Sequence, residues 1–158
     1  MPRHIDTFTE GTLELSSSDA VPIVVEVSCQ TTTVRLVATS SVETTPGVLC
    51  DPSEVDVPLP SKYTVEITYN QDNEQAAGIS QFLWEHDAEQ GTFTITNGPT
   101  DPSVSGECYF VAGDFGGDAG KPMTDSKVLN VIGKPDRTFG TGVVADPAAR
   151  RSTETVDA

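Results

Sequence analysis

The segment YTVEITYNQDNEQAAGISQFLWEHDAEQGTFTI, residues 63–95, indicates the fold most clearly, because its hydrophobic period changes twice. At its start, apolar and polar residues alternate, and the apolar ones, from Tyr63 to Tyr69, share one side. This is the pattern of a half-buried β-strand. Residues 92–96 alternate in the same way, whereas the apolar residues between the two segments recur at helical spacing. The stretch therefore predicts two strands separated by one short helix.

The predicted helix is about a dozen residues long, with Asp72 placed to cap it and Gln75 at its third position. Its apolar stripe consists of Ala76, Ile79, Phe82, Leu83 and His86, and Trp84 lies beside the stripe. A helix this short is not stable alone in water. We therefore expect it to dock on a sheet through the anchors Ile79, Phe82, Leu83 and Trp84, with His86 as a half-buried packing residue.

Strand composition recurs on both sides of this stretch. The further predicted strands cover residues 8–15, 22–29, 31–39, 106–113 and 126–135. Residues 40–61 contain four prolines and no sustained period, so we predict a long loop there. Hydrophobic density falls near the carboxyl end. We expect one domain over residues 1–136 and a flexible C-terminal tail over 137–158.

The charge of the chain is strongly acidic, with 24 Asp and Glu against 9 Lys and Arg, a net charge of −15. Such a surface repels a phosphate backbone and disfavours ordinary nucleic-acid binding. Two interpretations stay open: the charge keeps the protein soluble, or it lets a polyanion pass without adhering. No apolar run approaches the roughly 18 residues of a membrane helix, and the amino terminus has no signal-peptide core. We expect a soluble chain made in a cytosol-like compartment.

The cysteines and histidines do not form a recognisable site. Cys29, Cys50 and Cys108 are far apart and include no CxxC pair, which argues against a disulfide framework or a zinc knuckle. Cys29 and Cys108 have apolar neighbours, so we expect both to be buried thiols in strands. His4 and His86 cannot form a three-ligand metal site alone.

No motif for catalysis is present either. The glycine-rich segment 113–125 lacks the spacing of a P-loop or an EF-hand, and we interpret it as a flexible turn. There is no GxSxG nucleophile motif, and acid–base catalysis has no specific support. We expect no enzyme, no cofactor and no bound metal.

Two segments together resemble a known family. The opening stretch is similar to the strand–turn–helix–strand centre of the major tail tube proteins of long, non-contractile-tailed bacteriophages. SGECYFVAGDFGGDAGKPMTDSKVLNVIGKP, residues 105–135, resembles their closing part, in which a glycine-rich GG-x-AG turn joins two strands. The resemblance is greatest to phages of actinobacteria. It covers about residues 60–136, and the first sixty residues match in layout alone.

This resemblance implies a β-sandwich or barrel-like fold with one flanking helix and a long inter-strand loop. It also implies hexameric rings that stack into a tube in the virion tail, assembled in the host cytoplasm. The implied partners are other copies of the chain, the tape-measure protein, and the tail terminator and tail-tip proteins. Phage DNA would pass through without specific binding. The alternatives are a carbohydrate-binding β-sandwich and another virion component, such as a tail terminator or a decoration protein.

A tube that conducts DNA needs an inner wall without clusters of lysine or arginine. The polar strand face that contains Thr64, Glu66 and Thr68 is the clearest candidate for the lumen, with Glu26, Thr94 and Glu107 as possible companions. Arg35 does not fit this face, and we expect a carboxylate such as Glu66 to neutralise it. The competing interpretation is that these residues contact water on the outside of the fold.

Overall fold

The computed structural model describes residues 11–19, 24–72, 78–98 and 102–139. In these ranges the chain forms seven strands and one helix. They are β1 (Gly11–Ser17), β2 (Val24–Glu26), β3 (Thr31–Thr45), β4 (Val55–Asn70), α1 (Ile79–Glu85), β5 (Gln90–Asn97), β6 (Ser103–Tyr109) and β7 (Thr124–Thr138). The predicted mainly-β class with a single short helix is confirmed. Within the described ranges, no helix is long and apolar enough to cross a membrane.

The seven strands form one antiparallel sheet in the order β2-β1-β5-β6-β7-β4-β3. The predicted sandwich is therefore a single curled sheet and not two stacked sheets. A tight turn between β2 and β3 explains the curl, because these strands lie at opposite edges of the sheet. In this turn the Val27 amide donates to the Leu13 carbonyl at 3.0 Å, and the Thr31 hydroxyl donates to the Val27 carbonyl at 2.8 Å. The two edges meet at this end, which makes the fold barrel-like.

The hydrophobic core lies inside the curl and is covered by α1. It includes Leu13 and Leu15 of β1, Val65, Ile67 and Tyr69 of β4, Phe93 of β5, Leu129 of β7, and Ile79, Phe82 and Leu83 of α1. The strand residues come from alternate positions, as the period of two requires. Each large apolar side chain buried here contributes about 1.5–3 kcal/mol to stability.

Helix α1 is shorter than its sequence pattern predicts. Its N-cap is Gly78 and not Asp72, and the Ile79 amide donates to the side-chain oxygen of Gln30 at 2.8 Å. A side chain from a neighbouring turn therefore satisfies the first helical donor, and no local cap is needed. Gln75 and Ala76, which the sequence pattern places in the first turn of the helix, lie outside the described residues.

Residues 38–60 are exposed throughout and form a two-stranded ribbon, which we call the arm. The prediction of a loop over 40–61 is wrong, because β3 and β4 remain paired from Ser41–Leu59 to Thr45–Val55. The prolines are tolerated because β7 pairs with β4 only from Thr64 to Asn70. Beyond that point one edge of β4 is free, and proline is compatible with an edge strand.

Several smaller predictions also need correction. Cys29 is exposed because it lies in the turn between β2 and β3, while Cys108 is buried as predicted. His86 is 5% exposed and thus buried, not half-buried. Strand β7 continues to Thr138, two residues into the predicted tail. The rest of that tail from residue 140, and residues 8–10 of the first predicted strand, lie outside the described residues.

Candidate assembly surfaces

One face of the curled sheet points away from the core, and we call it the polar face. The strand register shows that this face continues from β2 across β1 and β5 to β6. Glu26 lies opposite Glu14, Glu14 opposite Thr94, and Thr94 opposite Ser105. All six residues proposed for the lumen lie on this one face: Glu26, Thr64, Glu66, Thr68, Thr94 and Glu107. The structure therefore brings together residues that are up to 81 positions apart (107 − 26) in the sequence.

The expected neutralisation of Arg35 is confirmed. Arg35 and Glu66 are direct cross-strand neighbours in the β3–β4 pair. The Arg35 Nε donates to Glu66 Oε2 at 2.6 Å, and its Nη2 lies 2.5 Å from the same oxygen. Because both side chains are partly exposed, the pair contributes at most about 1 kcal/mol to stability. Its main effect is to cancel a positive charge on the polar face.

Hydrogen bonds between neighbouring strands order other side chains on the polar face. The Thr68 and Ser126 hydroxyls lie 2.9 Å apart, and the Gln90 amide donates to Glu107 Oε2 at 3.2 Å. The face is thus hydroxyl-rich and acidic. Lys62, two positions before Thr64 on β4, also lies on this face, and together with Lys134 it lines a hollow of about 750 Å³ at the base of the arm.

The arm carries apolar side chains that no other described part of the chain covers. They are Val42, Val48, Leu49, Val55, Val57 and Leu59, and Leu49 at the tip is the most exposed of them. The tip is a turn closed by the Asp51 amide, which donates to the Val48 carbonyl at 2.9 Å. The Ser53 hydroxyl and amide donate to Asp51, and these two bonds lower the pKa of that carboxyl. The tip is therefore an ordered turn that exposes apolar side chains.

Among the described strands, β3 also presents an open edge. It is the last strand of the sheet, and its 15 residues run from the core into the arm. A long edge strand offers a row of backbone donors and acceptors to another strand. The opposite edge of the sheet is β2, which has only 3 residues.

A groove of about 480 Å³ separates α1 from the glycine-rich segment. Trp84 and Phe115 line it and are 67% and 80% exposed. The prediction that Trp84 anchors the helix is therefore wrong, whereas Ile79, Phe82 and Leu83 are buried. The Ser80 hydroxyl, which also lines the groove, is buried without a hydrogen-bond partner among the described residues. Sequence reasoning missed this aromatic groove because it placed most aromatic residues inside.

Comparison with known proteins finds similarity in structure but not in sequence. No protein-family model matches the chain, and no curated protein sequence matches it. A chain from the baseplate of the anti-feeding prophage, determined by cryo-electron microscopy with sixfold symmetry applied, has a similar structure with a TM-score of 0.58. The alignment covers 90% of this chain and 100% of that chain at 8% sequence identity. The two chains share a fold.

Proposed function

We propose that this chain is a structural protein of a phage virion, the major tail tube subunit of a long, non-contractile tail. The observation that carries the proposal is the arm, a paired ribbon whose apolar side chains are exposed along its length. An isolated two-stranded ribbon is only marginally stable in water. An apolar surface of this kind on a soluble protein marks an interaction site, and here we assign it to other copies of the chain.

The open edge of β3 supports association into rings. Pairing of that edge with a different surface of the next copy is a head-to-tail contact, and such contacts close into a ring when the rotation fits. Six is the number that the tail tube resemblance implies. The baseplate structure to which this chain is similar was likewise determined with sixfold symmetry. The arm then extends beyond the sheet to contact a neighbouring subunit or the next ring.

In this assembly the polar face lines the lumen. Its carboxylates, such as Glu14, Glu26 and Glu107, repel the DNA backbone, and the only arginine among the six residues and their cross-strand partners is already paired with Glu66. Lys62 and Lys134 must be neutralised by carboxylates of adjacent copies for the wall to stay free of phosphate contacts. DNA then passes without specific binding.

The remaining elements of the proposal follow from the tail tube role. The partners are other copies of the chain, the tape-measure protein inside the tube, and the terminator and tip proteins at its ends. Assembly takes place in the cytoplasm of the host, which we propose to be an actinobacterium. The chain acts as a scaffold and not as an enzyme.

Negative-stain electron microscopy of the purified protein tests the proposal directly. We expect tubes or stacked rings with sixfold end views. A chain that remains monomeric at high concentration, with or without tape-measure protein, would contradict it.

The similarity to a baseplate chain favours a second candidate, a different ring-forming component of a phage tail. Under this candidate, the chain forms one closed ring that does not stack into a tube. Single rings without tubes in the same microscopy experiment would support this candidate over the tube.

One observation supports the carbohydrate-binding alternative. A sugar-binding platform needs exposed aromatic side chains, and Trp84 and Phe115 are exposed in the groove. Trp84 is the only tryptophan, so its fluorescence reports on the groove alone. Under the assembly proposal, we expect its spectrum to stay unchanged when oligosaccharides are added to the monomer. Saturable quenching by a sugar would favour the carbohydrate-binding alternative.

A further inference from the structure

His86 is buried at the carboxyl end of α1 in a defined orientation. Its ring stacks on Phe82 with centroids 4.5 Å apart, and its Nδ1 lies 2.9 Å from the Phe82 carbonyl oxygen. Because a carbonyl oxygen only accepts hydrogen bonds, Nδ1 carries the hydrogen. In the neutral ring, Nε2 is then a free electron-pair donor. This is how metal-binding histidines are usually fixed, with the other nitrogen bonded to a carbonyl or carboxylate.

Two carboxylates lie near the His86 ring, and one of them faces Nε2. Asp19 Oδ2 lies 3.7 Å from His86 Nε2, too far for a hydrogen bond, and the ligand atoms of Asp19, His86 and Glu89 are all within 4.8 Å of one another. Three electron-pair donors therefore lie close together. A proton on Nε2 can bridge to only one carboxylate, whereas a divalent cation between the groups can contact all three once the two exposed carboxylates shift toward it.

The backbone holds two of the three groups in place. The Glu89 amide donates to the His86 carbonyl at 3.0 Å, and the Phe110 amide donates to the Glu89 carbonyl at 2.9 Å. The turn after α1 is thus fixed to the end of β6. Asp19 approaches from the end of β1, and its exposed side chain can adjust to a bound ion.

We propose that Asp19, His86 and Glu89 bind a divalent metal ion of the zinc class, which clamps the end of β1 to the end of α1. One imidazole nitrogen and two carboxylate oxygens form a donor set that Zn²⁺ accepts, with water as the fourth ligand. In a tetrahedral site with bonds of about 2.1 Å, the ligand atoms are about 3.4 Å apart. The 3.7 Å between Asp19 and His86 is close to that spacing. The site does not depend on the proposed tail tube function.

The test measures zinc binding by a chain from which the competing exposed thiols and the second histidine have been removed. The parent protein for the test carries Cys29→Ser, Cys50→Ser and His4→Gln, which remove the two exposed thiols and the second histidine. We expect calorimetry with ZnCl₂ to give one ion per chain. Saturating zinc should raise the melting temperature by roughly 5–10 °C, and EDTA should reverse the shift.

Asp19→Asn and Glu89→Gln remove one ligand charge each and leave His86 packed in the core. Each should weaken zinc binding at least tenfold, since even the groups that only support metal ligands contribute that much. Glu85→Gln is the matched control, because it makes the same charge change on the exposed side of α1 and should bind zinc like the parent. The proposal is overturned if the parent shows no zinc-dependent shift, or if the Asp19 and Glu89 variants bind as tightly as the control.

Discussion

At the scale of single residues, a network around the buried Tyr69 hydroxyl connects three parts of the molecule. The Tyr69 hydroxyl donates to Asp125 Oδ2 at 2.9 Å, and the Asp114 amide donates to the same oxygen at 2.7 Å. Lys127 Nζ lies 3.1 Å from Asp114 Oδ1. Burial and the bond to Asp125 raise the pKa of Tyr69 above its usual range, so the hydroxyl stays a donor. The network ties β4 and β7 to the glycine-rich segment.

Tyr69→Phe should lower the free energy of unfolding by about 1–3 kcal/mol, because the buried Asp125 carboxylate loses a donor while the packing volume is kept. Tyr63→Phe is the matched control, since Tyr63 lies on the same strand and is only half-buried. Urea denaturation measures both variants. Equal stability of the two would show that the Tyr69 hydroxyl does not contribute to the fold.

Phe82 and Trp84 are two positions apart on α1 but have opposite environments. Phe82 is 4% exposed and packs edge-on against Phe110 with centroids 5.0 Å apart, while Trp84 is 67% exposed. Phe82→Ala should cost about 3–5 kcal/mol through lost burial and a cavity. Trp84→Ala should change stability by no more than about 0.5 kcal/mol. If thermal unfolding of Phe82→Ala matched that of Trp84→Ala, the assignment of Phe82 as an anchor would be wrong.

The sequence predicted the partner of a residue where its chemistry determined that partner. It failed where the environment of a residue depended on tertiary packing alone. Arg35 on an acidic face needed a carboxylate, and the strand pattern supplied Glu66. Helical spacing, in contrast, does not show that Phe82 is buried and Trp84 exposed, because the edge of the apolar stripe falls between these two positions. The approach of Asp19 to His86 was equally beyond the sequence, because it depends on how β1 ends against α1.

At the scale of elements, the arm is the region where local sequence patterns predict a loop and the structure has two paired strands. Four prolines in residues 40–61 argued against strands, since proline removes a ladder donor. In the arm, however, β4 has a free edge, so Pro58 opposite Val42 costs little. Exposure on both faces also removes the alternation that identifies a half-buried strand. The strand at residues 62–70 was predictable because one of its faces is buried.

We expect the arm to be ordered by neighbouring copies and labile without them. In a dilute monomer, amides of residues 41–45 should exchange with solvent much faster than those of residues 65–69, because only the latter lie over the core. Assembly should slow the exchange in the arm. Hydrogen-exchange mass spectrometry on both forms measures this, and equal protection of the two segments in the monomer would count against it.

The apolar tip of the arm allows a direct test of assembly. Leu49→Asp should abolish tubes without altering the stability of the monomer, because Leu49 is fully exposed in the isolated chain and a buried carboxylate is costly at an interface. Leu49→Met keeps the apolar surface and should assemble normally. Sedimentation velocity and negative-stain microscopy separate the outcomes. Normal tubes from Leu49→Asp would exclude the tip from the interface.

At the scale of the whole molecule, the single curled sheet separates two kinds of surface. Its inner face is filled by the core and α1, so among the described strands outside the arm the polar face is the large surface available to a lumen. The net charge of −15 and the alternation of β4 were enough to predict an acidic strand face. The order of the strands was not predictable, because β2 and β3 are adjacent in sequence yet lie at opposite edges.

Reversing one charge on the polar face tests its role as the wall of a DNA conduit. Glu66→Lys adds a positive charge and also releases Arg35 from its partner, so each subunit presents two unpaired cations where the parent presents a neutral pair. In a ring of six copies, these cations surround the lumen and bind phosphates. We expect tubes to form, because the replaced ion pair is partly exposed and contributes little to stability. DNA ejection should be slower at low salt and recover as salt screens the contacts.

Glu85→Lys, which makes the same charge change on α1, should leave ejection unchanged. Unaltered ejection by Glu66→Lys phage with intact tails, or a tube structure with Glu66 on its outer surface, would refute the assignment of the polar face to the lumen.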